Sequence, residues 1–235
     1  MLCKIADLFA EIPEEGGLSS LLEEYKAEEK IEHPDIILNV EKYRYDEYSN
    51  KDVEMVSYIE SGIQFYSRLI YYGGILLHSS AIELDGKAYL FSGPSGVGKS
   101  THTGFWKELF PNSRIFNDDK PALRQIEGVW YAYGTPWSGK HKININTKAP
   151  LAGICFLKQG DELGIRRLST IEAVPHLIHQ TTHYFYNEKK LDMMLKCVES
   201  LATQIPIYEL TSTPVVDAAK MSYEAMKKGA EEKGL

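Results

Sequence analysis

The stretch that most constrains this chain is Gly93-Pro94-Ser95-Gly96-Val97-Gly98-Lys99-Ser100, a match to the phosphate-binding pattern G-x-x-x-x-G-K-[ST]. Its flanks fit the pattern's usual context. Ala88-Tyr89-Leu90-Phe91 before it reads as a short apolar strand. Ser100 to Phe110 after it reads as a helix, with Phe105, Leu109 and Phe110 at near-helical spacing and Pro111 as the stop. Glycines at 93, 96 and 98 let the backbone bend tightly and turn its N–H groups toward an anion. The helix N-terminus adds partial positive charge at the same place. On this reading Lys99 reaches the terminal phosphates of a nucleotide and the Ser100 hydroxyl holds Mg²⁺.

Around that loop the chain reads as a mixed sheet with helices. A length of 235 residues suits one large domain, or a core with a small appendage. Residues 1–17 read as irregular and acidic, and Leu18 to Ile31 as an amphipathic helix ended by Pro34. Asp35 to Tyr45 and Val53 to Ile59 alternate like strands, with a turn at Asn50-Lys51-Asp52 between them. A helix follows from Ile63 to Tyr72, ended by Gly73-Gly74. Ile75 to Leu84 reads as a buried strand, and Asp85-Gly86 is a hairpin signal returning the chain into the loop.

Beyond the loop helix, Arg114 to Asn117 is a short strand delivering Asp118-Asp119, and Glu127-Gly128 joins a second hairpin, 122–126 with 129–133. Lys142–Ile145, Leu151–Leu157 and Gly164–Leu168 read as strands, the last two turning through Gln159-Gly160-Asp161. Ser169 with Glu172 makes a capping-box signature. A helix at 189–202, a strand at 207–210 and a last helix capped by Thr213 with Pro214 at its first position complete the chain.

Composition excludes several classes. The start has no apolar core of signal-peptide length, no apolar run approaches membrane-spanning length, and a cytoplasmic protein is expected. Cys3, Cys155 and Cys197 lie far apart with no C-x-x-C, which suits buried, reduced thiols. A net charge of −7 with no basic stripe argues against a nucleic-acid surface.

Two features narrow the chemistry. Asp118-Asp119, at a strand end soon after the loop helix, offer adjacent carboxylates for a metal on one side and an acceptor hydroxyl on the other. His78 sits in an otherwise apolar strand beside the strand feeding the loop, either as a core histidine or as the partner of an aspartate. Trp137, between Pro136 and Gly139, either walls an acceptor pocket, stacks a base or packs at the surface. Lys140, His141, Arg166 and Arg167 are candidate cations for a transferring phosphoryl group, although a solvated strand face is the plainer reading of the arginine pair. His176, His179 and His183 recur at helical spacing, but no cysteine or carboxylate completes a metal set, so they read as a solvated helix face.

Leu77-His78-Ser79-Ser80, the Asp85-Gly86 hairpin, Phe91 to Thr101 and Asn117-Asp118-Asp119 resemble the catalytic domain of bacterial HPr kinase/phosphorylase, over roughly residues 73–170. That family belongs to the P-loop group that includes ATP-dependent phosphoenolpyruvate carboxykinase. The resemblance implies an α/β fold: a P-loop core with a mixed, twisted sheet of this nucleotide-binding type, flanked by helices. Residues 1–72 would be an N-terminal α+β segment packed on a catalytic domain at 73–235. It further implies that Gly93, Ser95, Gly96, Val97, Gly98, Lys99, Ser100 and Thr101 cradle the phosphates, that Ser100 and Asp118 serve Mg²⁺, and that Asp119, supported by His78, takes the proton of a seryl-type hydroxyl. The two aspartates are interchangeable on this reading. Thr101 stands where the family carries an acidic residue, and Thr135 to Lys140 stand where it carries a glycine-rich signature.

The expected activity is therefore transfer of the γ-phosphoryl group of ATP, with Mg²⁺, to a hydroxyl of a protein, a peptide or a small metabolite. The alternatives are carboxykinase-type phosphorylation of an enolate and a non-catalytic ATP-binding switch. Expected partners are the nucleotide and the hydroxyl substrate, with no nucleic acid and no membrane; assembly into a homo-oligomer is implied by analogy with the group alone.

Overall fold

The structure, a computed structural model, describes residues 1–14, 18–39, 53–181 and 187–235. Three hairpins set its local frame, and all three turn the same way. At Ala6-Asp7, Asp85-Gly86 and Glu127-Gly128 both turn residues have positive φ: 53° and 58°, 53° and 74°, 50° and 85°. That conformation follows the natural strand twist of a two-residue hairpin. The turns join β1 (Leu2–Ile5) to β2 (Leu8–Glu11), β5 (Ser79–Leu84) to β6 (Lys87–Ser92), and β8 (Ala122–Ile126) to β9 (Val129–Tyr133).

The first hairpin, with β3 (Ile36–Ile37) parallel to β2, makes a three-stranded sheet. The other two belong to a nine-stranded mixed sheet, ordered β4 (Gly74–Leu76), β8, β9, β10 (Lys148–Gln159), β6, β5, β7 (Arg114–Asn117). β12 (Ile207–Ser212) also pairs with β10, and β11 (Gly164–Arg167) with β12. The long β10 makes this sheet curl. Its first residues, 148–150, run antiparallel to β9, whereas from Leu151 onward it runs parallel to β6 and from Ile154 parallel to β12.

Strands β6 and β10 are buried on both faces, as parallel neighbours usually are. Leu90, Ile154 and Phe156 point to one face, under α4 (Thr170–Gln180) and α5 (Glu188–Gln204). Phe91, Cys155 and Leu157 point to the other, under α3 (Lys99–Leu109) and α6 (Val216–Lys233). A third cluster joins the N-terminal sheet, the short α1 (Ser19–Leu22) and α2 (Val53–Leu69) to Leu76, Tyr133 and Trp137. The fold is thus mixed α/β, a curled mixed sheet covered by helices.

Several expectations need correction. Residues 2–11 form a hairpin, because Ala6-Asp7 adopts the turn without a glycine to announce it. The helix after Leu18 stops at Tyr25, and Lys26 bridges to Cys3 instead. Residues 53–59 are helical rather than extended: their alternation is the first part of an amphipathic helix running to Leu69. Residues 142–145 form no strand, only a bridge from Asn144 to Asn117. β11 does not pair with β10, since β12 lies between them. The last helix begins at Val216, with Val215 rather than Thr213 at its N-cap and no side-chain cap. The expected strand at 35–45 is described only as far as residue 39; the turn at 50–52 and His183 lie outside the described residues.

Candidate functional site

Strand register gathers the site. Ser79 pairs with Ser92, the residue before the glycine-rich loop, and Ala81 pairs with Asn117, the last residue of β7. His78 and Asp118-Asp119 therefore emerge at the end of the sheet where the loop begins. The Ser92 hydroxyl donates to the His78 carbonyl at 2.8 Å, and the Ser79 N–H donates to the Asp119 carbonyl at 3.1 Å. The His78 N–H donates to the Gln180 carbonyl at 2.8 Å, pinning the end of α4 to the same point.

The loop has the shape its glycines require. Gly93, Gly96 and Gly98 have φ of 143°, 80° and 108°, a region L side chains rarely enter. Gly98 occupies the N-cap of α3, so the loop runs straight into a helix N-terminus. Lys99 is buried against the loop, its Nζ donating to the Gly93 carbonyl at 2.8 Å and the Pro94 carbonyl at 3.2 Å. Burial pulls its pKa down, and the charge of Asp119 partly offsets this. Ser100 and Thr101 are exposed at the start of α3, and Thr101 lies in a shallow depression with Val97, Phe105 and the 212–215 segment.

Asn117 shapes the turn at the end of β7. Fully buried, it accepts from the Asp119 and Lys120 N–H groups at 3.0 and 2.7 Å and donates to the carbonyls of Thr135 and Trp137 at 3.2 and 3.1 Å. This side-chain turn sends the two aspartates apart. Asp118 accepts from the N–H groups of Gly139 and His141 at 2.6 and 3.2 Å, and so anchors the 137–141 segment. A Cβ on Gly139 would sit 2.9 Å from the Asp118 Oδ2, which explains a glycine there.

Asp119 faces the other way. Its Oδ1 lies 2.5 Å from His78 Nε2, and its Oδ2 accepts from Lys120 Nζ. Burial pushes this carboxyl's pKa up, but His78 and Lys120 outweigh it and hold the group down to about 2. Lys120 is raised in turn, because Asp119 outweighs the cost of burial. His78 Nδ1 turns to the Gln180 amide at 3.4 Å.

Two cavities meet at this cluster. One, of about 480 Å³, lies between the loop (Gly93 to Val97) and the end of α4 (His176, His179, Gln180), floored by Phe156 and Leu157. The other, of about 570 Å³, is bounded by His78, Lys120, Trp137, Leu76 and the α2 face carrying Tyr58, Ile59, Ile63 and Tyr66. His179 and Gln180 belong to both walls.

The structure thus brings together the loop, Lys99, His78 and Asp119. Trp137, only 2% exposed, lines the second cavity with its ring packed on Phe65 and Tyr66 and its Nε1–H donating to Ser61. Lys140 is exposed on the turn beside Asp118. Arg166 and Arg167 are corrected: they lie on β11, where Arg166 pairs with Glu172 and Glu209 and Arg167 with Glu232, and they line neither cavity. His176, half-buried, and His179, exposed as a solvated helix face implies, also line the loop cavity, with the His176 ring 4.9 Å from Phe156. Sequence reasoning misses Lys120 and Gln180. A lysine after two aspartates looks like surface charge, and nothing local marks Gln180 as reaching a residue 102 positions earlier.

No curated protein matches the chain. An HPr(Ser) kinase/phosphatase from Coxiella burnetii is a structural neighbour at 10% identity and a TM-score of 0.37, over 67% of this chain and 97% of that one. A sequence profile described as "SynChlorMet cassette protein ScmC" matches residues 44–215. The chain belongs to that family.

Proposed function

We propose that this protein is an ATP- and Mg²⁺-dependent phosphotransferase that moves the γ-phosphoryl group to a hydroxyl acceptor. One observation carries the reading: Asp119, held by His78 and Lys120, emerges where the glycine-rich loop begins, its carbonyl bonded to the N–H of Ser79, whose strand partner Ser92 leads into the loop. A carboxylate opposite an anion-binding loop is the arrangement that phosphoryl transfer to an alcohol requires.

In the proposed step the loop N–H groups and Lys99 hold the β- and γ-phosphates, Lys99 exchanging the Gly93 and Pro94 carbonyls for phosphate oxygens. The acceptor oxygen attacks the γ-phosphorus, and the bond to the bridging β–γ oxygen breaks. ADP leaves with that electron pair, and the acceptor proton passes to Asp119. A carboxyl held at about 2 is a weak base. Lys120 swinging from Asp119 to the transferring phosphoryl group would restore basicity where the proton arrives.

The residues present fit Mg²⁺ held mainly through the nucleotide. Among the described residues no group of three or more His, Cys, Asp and Glu could hold a metal ion. Ser100 offers its exposed hydroxyl, and Asp118, with one N–H on each oxygen from Gly139 and His141, keeps a lone pair on each for a metal. Sparse protein ligation alongside phosphates and water is ordinary for this ion, which would neutralise charge on the phosphates.

The test is incubation with ATP, Mg²⁺ and candidate alcohols, following ADP and phosphate ester together. Transfer by the wild type that is lost in Asp119→Asn, with ATP binding kept, supports the reading. ATP binding without transfer leaves the switch.

A further inference from the structure

The two cavities that meet at Gln180 differ in kind, and the second one has no part in holding phosphates. Its polar groups converge at one end, where His78, Lys120 and Gln180 lead to Asp119. His179 and Thr181 join them from the end of α4, and the opposite wall is aromatic or aliphatic, from Tyr58, Ile59, Ile63, Tyr66, Leu76 and Trp137. Most polar atoms lining the cavity are already engaged; Thr181 Oγ1, at the α4 end, is buried without a partner. The Tyr66 hydroxyl donates to the Lys120 carbonyl at 2.5 Å and meets Thr135 Oγ1 at 2.8 Å. The Tyr58 hydroxyl donates to the Ser138 carbonyl and accepts from its N–H, at 2.6 and 2.7 Å, and Trp137 Nε1–H donates to Ser61 Oγ.

Charge narrows the occupant further. Lys120 is paired with Asp119 and, in the proposed step, passes from it to the transferring phosphoryl group, so at neither stage does it serve a carboxylate or phosphate on the acceptor's own body. A polyol spread along the aromatic and aliphatic part of this wall would give up more water than the few polar groups at the α4 end replace, since a buried hydroxyl needs a hydrogen bond. A single hydroxyl on an apolar body loses nothing of the kind. The cavity's roughly 570 Å³ suits a small molecule or a large side chain with its neighbours.

We propose that this cavity is the acceptor site, and that it takes a neutral alcohol or phenol on an apolar, aromatic-sized body, with the hydroxyl entering toward His78 and Asp119. The assignment rests on the phosphotransferase reading for its chemistry, but the binding preference is measurable without it. Such a hydroxyl occurs on free small molecules and on side chains of a polypeptide, and both present the same chemistry to the pocket.

The experiment is calorimetric titration of the full chain with five probes. N-acetyl-L-tyrosinamide and 2-phenylethanol represent free apolar alcohols, and acetyl-Leu-Ser-Phe-amide represents a side-chain hydroxyl in a peptide. Glycerol and D-glycerate are the polar and anionic controls. At least one apolar probe is expected to bind at least tenfold more tightly than either control; binding of the peptide alone identifies the source as a polypeptide. Ile59, 47% exposed at the cavity rim, gives a variant that spares the core. Ile59→Asp is expected to weaken the apolar probe tenfold or more while ATP binding stays within twofold, and Ile59→Val to retain it within threefold. Tighter binding of glycerol or glycerate, no binding of any apolar probe, or an Ile59→Asp variant with unchanged affinity would overturn the proposal. Loss of ATP binding in the wild type would sink the phosphotransferase reading alone, leaving the probe preference to be judged by itself.

Discussion

His78 and Asp119 stand 41 residues apart in sequence and 2.5 Å apart in space, joined because β5 lies between β6 and β7 at the end of the sheet where the loop begins. With Lys120 on its other oxygen, Asp119 has one donor on each carboxylate oxygen. Removing its charge while keeping its shape tests what it does. Asp119→Asn is expected to lower kcat by at least 100-fold, the lower range for a proton-accepting group, with ATP affinity changed by less than threefold. Steady-state kinetics beside nucleotide titration separates the two effects. Equal losses in kcat and ATP affinity would point to a folding or binding role instead.

Lys120 governs how basic Asp119 is. The folded-state pKa of Asp119 lies below the ordinary carboxylate value, so its contribution to stability is present above about 4 and disappears as pH falls toward about 2. In Lys120→Met burial remains while one stabilising donor is gone, so the Asp119 pKa rises. The acid limb of the kcat/KM profile is expected to move to higher pH by at least about one unit, one unit corresponding to about 1.4 kcal/mol. An unmoved limb with a merely lower plateau would leave Lys120 a role in phosphoryl charge only.

Asn117 is a structural device with a functional result. Its buried amide holds the Asp119 and Lys120 N–H groups on one side and the Thr135–Trp137 segment on the other. Asn117→Ala leaves several of these groups unpaired, at about 1–3 kcal/mol for a buried group. A fall in Tm is expected together with loss of transfer, and Asn117→Asp is expected to restore the accepting half alone.

Away from the site, His102 predicts acid sensitivity. Ser222 Oγ donates to the Ala219 carbonyl and accepts from Trp106 Nε1–H, so the His102 Nε2–H, 3.0 Å away, donates to it. Burial holds its pKa down to about 4, against an ordinary 6.5. The unfolded chain then binds the extra proton first: stability is full above about 6.5 and falls as pH drops toward about 4. The loss is on the order of 3 kcal/mol. Urea denaturation across pH 4–8 should show this slope, and His102→Gln should flatten it.

How much of this can be read from the residues depends on how local each cause is. The loop's backbone, its helix and the turns at Asp85-Gly86 and Glu127-Gly128 are legible, because glycines at positive φ and two-residue hairpin turns have fixed local signatures. The Ala6-Asp7 turn has the same geometry without the signature residues, so the N-terminal hairpin is invisible in sequence. Val53 to Ile59 misleads because seven residues do not separate a period of 2 from one of 3.6. His78, Asp118 and Asp119 stand out in the sequence, but their division of labour depends on Asn117, whose four partners lie in two separate segments. Arg166 and Arg167 look available until α4 and β12 supply glutamates to the first and α6 one to the second. The second cavity needs α2, which reads as partly extended, and the end of α4, which no local pattern ties to His78.

The central claim is that a phosphoryl group crosses from the loop to an alcohol beside Asp119. Phosphorus NMR of the full chain with ATP, Mg²⁺ and N-acetyl-L-tyrosinamide or the Leu-Ser-Phe peptide measures this directly. A phosphate monoester signal growing in step with ADP is predicted, and its absence in Asp119→Asn. ATP bound but unchanged, or an ester formed equally by Asp119→Asn, would contradict it.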